Sequence, residues 1–273
     1  MSAMNLSNLT YNTLLKMFAA GKRFDGRKLL EQRDFTVEYD VSYKAEGSAR
    51  VKLGKTEVIV GVKMDVGTPY PDSMDKGNLM VSGDLLPLAS PRFESGPPKF
   101  NAIELPRLID RMVRESHMID LNKLVITEGE KVWTVMIDIY PINDDGALID
   151  AASIAAIAAL QQARIPELNK DGKVDHDKKG TKKLPLNEGI LPISFTFYKL
   201  GDSLFIDPTR EEEEAADGKI VLGISHYKGK EHMIHSAQKG MDAHLSTEDI
   251  TEMMKTLPKL YDDTLKKLKK FLK

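Results

Sequence analysis

The segment KVWTVMIDIYPINDDGALIDAASIAAIAALQQAR, residues 131–164, decides the fold. Its opening, 131–141, reads as a β-strand, and the turn Glu128-Gly129-Glu130 separates it from another at 122–128. Its alanine-rich end, 150–164, reads as a buried helix. Alanine is the best helix former, and Asp150 can cap the N-terminus.

Upstream, residues 7–20 read as a short amphipathic helix ending near Gly21, with Leu14, Leu15, Met17 and Phe18 on its apolar side. Alternation then begins: Phe35, Val37, Tyr39, Val41 and Tyr43 share one face of a strand. Strands follow at 48–53 and 56–65, hinged by Gly54. The run Val58-Ile59-Val60-Gly61-Val62 is apolar on both faces, which places that strand centrally. Another strand is expected at 79–88, then a Gly- and Pro-broken stretch at 90–101 and a helix at 103–117 that Pro106 argues should start late.

Downstream, 166–189 is a polar connection rich in Lys, Asp and Gly. Strands resume at 190–198, 203–207 and 219–225, and Ser246 opens a final helix interrupted near Pro258. This order predicts an α+β fold, mixed sheets packed with helices in two related halves. The expected division is 1–165 with the N-terminal helix, the linker 166–189, and 190–273 with the terminal helix.

Composition narrows the function. Of 273 residues, 39 are Lys or Arg and 41 Asp or Glu, so the net charge is −2, and any nucleic-acid site must be a local patch. The absence of cysteine excludes disulfides, iron–sulfur clusters and Cys-type zinc sites, and fits a cytoplasmic home. The N-terminus lacks the continuous apolar core of a signal peptide, and no window reaches the roughly 18 apolar residues of a membrane span.

The helix at 103–117 is the best positive signal. At about 100° per residue, Arg107, Arg111 and Arg114 fall within about 60° of one another. Leu105, Leu108, Ile109, Met112 and Val113 lie opposite. Guanidinium groups suit phosphate because their planar fork donates two parallel hydrogen bonds. The competing reading is a solvated face paired with Glu104, Asp110 and Glu115.

Other patterns carry less. Gly54-Lys55-Thr56 lacks the first glycine of a P-loop and sits between strands. His232 and His235, beside Glu231, lack a third convergent ligand for zinc. Glu167 through Gly172 opens like a calcium loop, but the twelfth position is Lys178. The four glutamates Glu211 to Glu214 read as a strand-end turn facing water. No Ser–His–Asp arrangement or dinucleotide fingerprint is present.

Beyond these, the chain resembles a known family. Arg23-Phe24-Asp25-Gly26-Arg27 is similar to the R-x-D-G-R opening of the RNase PH family. Gly47-Ser48-Ala49-Arg50-Val51 and Gly54-Lys55-Thr56-Glu57-Val58 follow in the family's order, as do Glu104–Arg114, Asp144–Leu160 and Asp207–Val221. The likeness runs from about residue 20 to 255. It implies an RNase PH-type fold and the setting of phosphate-dependent 3′→5′ exoribonucleases built as hexameric rings.

Active family members hold phosphate with a segment of the form A-D-G-G-T/S-R. Here Asp144-Asp145-Gly146-Ala147-Leu148 stands in its place, with neither hydroxyl nor arginine. Aligning the family's downstream acidic pair on Glu212 and Glu213 puts Lys219 where the catalytic aspartate belongs, whereas a one-residue gap brings Asp217 closer. The pattern is similar to the non-catalytic RNase PH-type subunit of the archaeal exosome. The resemblance therefore implies no catalytic residue, no metal and no cofactor. Its implied partners are single-stranded RNA, a catalytic RNase PH-type subunit in a hetero-hexameric ring (a trimer of heterodimers) and RNA-binding cap proteins. The family's RNA-contacting arginines map to Arg107 and Arg111, with Arg114 a third. Two alternatives stand beside it: a self-sufficient phosphate-dependent exoribonuclease using Asp217, and a pure scaffold.

Overall fold

A computed structural model describes residues 6–169, 173–175, 178, 180–227 and 231–272. Two sheets enclose one helix. The first runs β1-β2-β3-β6-β4: β1 (Phe35–Tyr39), β2 (Gly47–Leu53), β3 (Thr56–Gly67), β4 (Asn78–Gly83) and β6 (Lys131–Asn143), with β5 (Val125–Thr127) also on β6. Only the β4–β6 pair is parallel. The second runs β10-β9-β7-β8, all antiparallel: β7 (Ile193–Leu200), β8 (Ser203–Ile206), β9 (Gly218–Tyr227) and β10 (Glu231–Gly240).

Helix α3 (Leu148–Gln162) lies between the sheets, packed on β2 and β3 from one and β7 from the other. Every residue from Leu148 to Leu160 is buried. A helix covered on all sides must be apolar all round, and alanine lets two sheets approach it closely. The expected buried helix is thus present, but its cap differs. The N-cap is Ala147 in left-handed backbone with no side-chain cap, and Asp150 lies inside the first turn, fully buried. There Asp150 Oδ1 accepts from the Thr196 hydroxyl at 2.7 Å, joining α3 to β7.

β3 is central as expected, between β2 and β6. Only its Val58, Val60, Val62 and Met64 face is fully buried, and Ile59 and Gly61 are half-buried. β1 ends at Tyr39 because Asp40 turns to φ 56°, so Tyr43 is exposed rather than part of the strand. β4 stops at Gly83, short of the predicted 88, and a 3-10 turn at Leu121–Leu124 takes the start of the strand predicted over 122–128.

Both prolines predicted to disturb helices lie inside continuous ones. Pro106 is the seventh residue of α2 (Phe100–Glu115), which starts early rather than late. An interior proline costs about 3 kcal/mol. The buried stripe Leu105, Leu108, Ile109, Met112 and Val113 offsets this by bridging β4 of one sheet and β9 and β10 of the other. α5 (Thr247–Lys269) likewise runs through Pro258, fixed by a Ser246–Asp249 capping box and by buried Met253, Leu257, Tyr261 and Leu265.

α1 (Asn8–Ala19), capped by Ser7, packs on the second sheet although it lies in the 1–165 segment. Its Leu14 and Phe18 join Tyr198, Leu200 and Phe205 in a second, smaller core. The glutamate run forms α4 (Arg210–Ala215) instead of a water-facing turn, with Glu212 buried. β10 escaped sequence reading because its residues are polar or half-exposed on both faces. In the 166–189 connection, Leu184 is buried and Leu186 bridges to Ile119, so the described part of this segment packs on the domain. Lys170, Asp171 and Gly172 of the calcium-loop pattern lie outside the described residues, and Lys178 pairs with Asp175 at 3.2 Å.

Candidate nucleic-acid interface

The arginine row forms as predicted, but its three members differ. All are exposed on α2. Arg107 makes no side-chain hydrogen bond or ion pair among the described residues. Arg111 donates from Nη1 to Gln238 Oε1 of β10 at 2.7 Å, an exposed neutral contact that water or phosphate can replace. Arg114 is engaged. It donates to both oxygens of Asp110, at 2.6 and 3.1 Å, and to the Leu79 carbonyl at 2.9 Å. Of the acidic partners expected for a solvated face, Asp110 therefore binds Arg114.

Glu104 turns the other way. Its carboxylate accepts from Lys219 Nζ at 2.7 Å, with side chains 5% and 13% exposed. Lys219 thus pins the second turn of α2 to the start of β9. Asp217 is committed elsewhere: Oδ1 accepts from the Tyr11 hydroxyl of α1 at 3.1 Å, and Oδ2 from the Gly201 amide at 2.8 Å.

The segment Asp144–Leu148 forms the turn that launches α3. Gly146 and Ala147 both have positive φ, 81° and 54°. A Cβ on Gly146 would lie 2.4 Å from the Pro208 carbonyl, so only glycine fits against the start of α4. Ala147 and Leu148 are buried. Their side chains offer no donor to an anion.

Around this turn the acidic groups are neutralised from within the chain. Arg92 bridges Asp144, from Nε at 2.8 Å, and Glu213, from Nη2 at 2.9 Å. Burial works against the charge of Arg92, but Glu213 and Asp144 outweigh it and raise its pKa. Burial pushes the Asp144 carboxyl up, opposed by Arg92. Arg33 reaches Asp207 with both Nε and Nη2, at 3.0 and 2.6 Å, and also donates to the Gly146 and Pro208 carbonyls. Arg27 joins Asp207 at 2.9 Å, and Arg23 forms a fully buried pair with Glu212. Each guanidinium here already has its carboxylate, and an incoming phosphate would have to displace one.

Sequence reasoning missed this network. Arg23 and Arg27 belong to a recognised motif, but their partners across the fold, Glu212 and Asp207, lie 180 or more residues away and carry no local signal. The histidines also assort differently. His235 contacts the Ser225 hydroxyl at 2.8 Å, whereas His232 converges with His226 and Asp262.

Residues 31–166 match the family described as 3′ exoribonuclease family, domain 1, and residues 191–256 its domain 2. The exosome complex component Rrp42 of Methanothermobacter thermautotrophicus is 42% identical over 246 residues, covering 90% of this chain and 89% of that protein. Rrp42 of Thermoplasma acidophilum is 42% identical over 254 residues, 93% of each chain. A chain of the Archaeoglobus fulgidus exosome, solved with RNA bound to the active site, superposes with a TM-score of 0.84 at 39% identity. It covers 97% of this chain and 98% of its own. With both domains matched in order and relatives aligned nearly end to end, this chain belongs to the RNase PH (3′ exoribonuclease) family.

Proposed function

We propose that the chain is a non-catalytic ring subunit of an archaeal exosome, supporting phosphorolytic 3′→5′ RNA degradation by a catalytic RNase PH-type partner. In this reading three copies alternate with three partners in a hetero-hexameric ring that carries RNA-binding cap proteins and works in the cytoplasm. Each copy completes its neighbour's active site and helps hold the RNA 3′ end. Among the described residues no helix is long and apolar enough to cross a membrane. The matched family ranges favour a boundary within 166–189, between segments 1–165 and 190–273.

One contrast carries the proposal. The turn where active relatives hold phosphate has no side-chain donor and is ringed by satisfied ion pairs, while Arg107 and Arg111 are left exposed on α2. Phosphorolysis needs inorganic phosphate bound beside the scissile phosphodiester, and the side chains of this turn offer it no donor. Holding an RNA backbone needs only cations free to exchange their counterions, which α2 provides. Arg107 and Arg111 contact RNA phosphates. Arg114, tied to Asp110 and Leu79, contributes charge from a fixed position. The test is RNA turnover by a ring reconstituted with the double variant Arg107→Ala/Arg111→Ala. An intact ring with weakened turnover supports the assignment, and unchanged RNA affinity at moderate salt leaves a scaffold.

A further inference from the structure

On the second sheet, two strands and a helix bring together a set of metal-ligand side chains. His226 of β9 and His232 of β10 are direct cross-strand partners, which puts both imidazoles on one face of the hairpin. Asp262 of α5 meets them there: the Nε2 atoms lie 2.9 and 3.0 Å from the same carboxylate oxygen. All three ligating atoms fall within 4.8 Å of one another.

The arrangement is held from behind. Tyr261, fully buried, packs edge-on against both imidazoles, with ring centroids 5.0 and 5.8 Å away. Its hydroxyl donates to the Leu191 carbonyl at 3.0 Å and accepts the His226 amide at 3.2 Å. The residue beside Asp262 thereby fixes the strand that carries His226, so the ligands come from elements whose relative position is already set. Such preorganisation distinguishes a site from a chance surface encounter.

We propose that His226, His232 and Asp262 bind one divalent transition-metal ion of the zinc class, which clips α5 to the β9–β10 hairpin. Two imidazoles and a carboxylate are a recurrent three-ligand set for zinc, with the fourth position left to water. The side chains are 21%, 25% and 52% exposed, which leaves that position open to solvent. Ligands about 2.0–2.2 Å from a tetrahedral ion stand roughly 3.3–3.5 Å apart. To bind an ion the two nitrogens move out a few tenths of an ångström from the shared oxygen, close on each other from a spread of up to 4.8 Å, and present Nε2 without its proton. The proposal does not depend on RNA binding.

The untagged chain, stripped with a chelator, is titrated with Co²⁺ and then Zn²⁺ while visible absorption and bound metal are followed. The expected result is one equivalent of Co²⁺ with the d–d bands of a tetrahedral site, displaced by Zn²⁺, and a higher melting temperature with Zn²⁺. His232→Asn and Asp262→Ala should each weaken binding at least tenfold. His235→Asn, on the same strand but bonded to Ser225, should not. Lack of stoichiometric binding by the wild type overturns the proposal, as does equal binding by the wild type and both ligand variants.

Discussion

Lys219 Nζ lies 2.7 Å from Glu104 Oε2, so this lysine anchors the arginine helix to β9. An aspartate here is several bonds shorter than lysine and would leave Glu104, a buried carboxylate, without its cation. Breaking a largely buried pair costs on the order of 3 kcal/mol. Lys219→Asp is therefore expected to destabilise the isolated chain in urea by about that much, and to leave it without phosphorolytic activity. Gain of activity would mean the position was one substitution from catalysis.

The two exposed arginines give a salt prediction. Each cation that neutralises a phosphate of single-stranded RNA contributes about 0.7 to the slope of log K against log salt. Arg107→Ala with Arg111→Ala should flatten the slope for the reconstituted ring by about 1.4 per subunit engaged. Arg114→Ala should instead lower stability by about 1 kcal/mol, through loss of its hydrogen bonds to Asp110 and Leu79. Fluorescence anisotropy across a salt series, beside denaturant melts, separates the two effects.

Asp150 gives a pH prediction. Burial pushes its carboxyl up to about 7, against the hydrogen bonds from Thr196. The unfolded chain ionises this group near the usual carboxylate value of roughly 3.9. The native state thus holds an extra proton between about pH 4 and 7, and the group's contribution becomes steadily less favourable as pH rises through that window. Asp150→Asn keeps an oxygen for Thr196 and removes the titration. Its stability should fall less than the wild type's between pH 4 and 7. Parallel curves for the two would refute the assignment.

Gly146 tests the closed turn. Its φ of 81° disfavours any other residue, and a Cβ would strike the Pro208 carbonyl at 2.4 Å. Gly146→Ala should destabilise the chain by roughly 2–4 kcal/mol, combining backbone strain with overpacking. A melt within about 0.5 kcal/mol of wild type, the range of ordinary surface changes, would show that the turn can move off α4.

What the sequence made legible followed locality. The all-buried α3, the central β3 and the Ser246 cap are written in composition or in residues three apart, and each is present. β10 was hidden because an edge strand with half-exposed faces has no hydrophobic period. The prolines misled because tertiary burial of α2 and α5 outweighs a local penalty. The α2 arginines were readable from spacing, but the distinction between free Arg107 and tethered Arg114 depends on Leu79, a neighbour brought in by β4. The ion pairs around Asp144 and the His226–His232–Asp262 cluster join residues tens to hundreds of positions apart. No local pattern announces them.

The proposed role is to support RNA phosphorolysis without performing it. The most direct measurement is phosphate-dependent release of nucleoside diphosphates from a short A-rich RNA, by the chain alone and after mixing with a catalytic RNase PH-type partner. No release is expected from the chain alone and robust release from the mixture, reduced when Arg107 and Arg111 are alanine. Release by the chain alone would contradict it, and would place a working phosphate site at a turn whose side chains carry no donor.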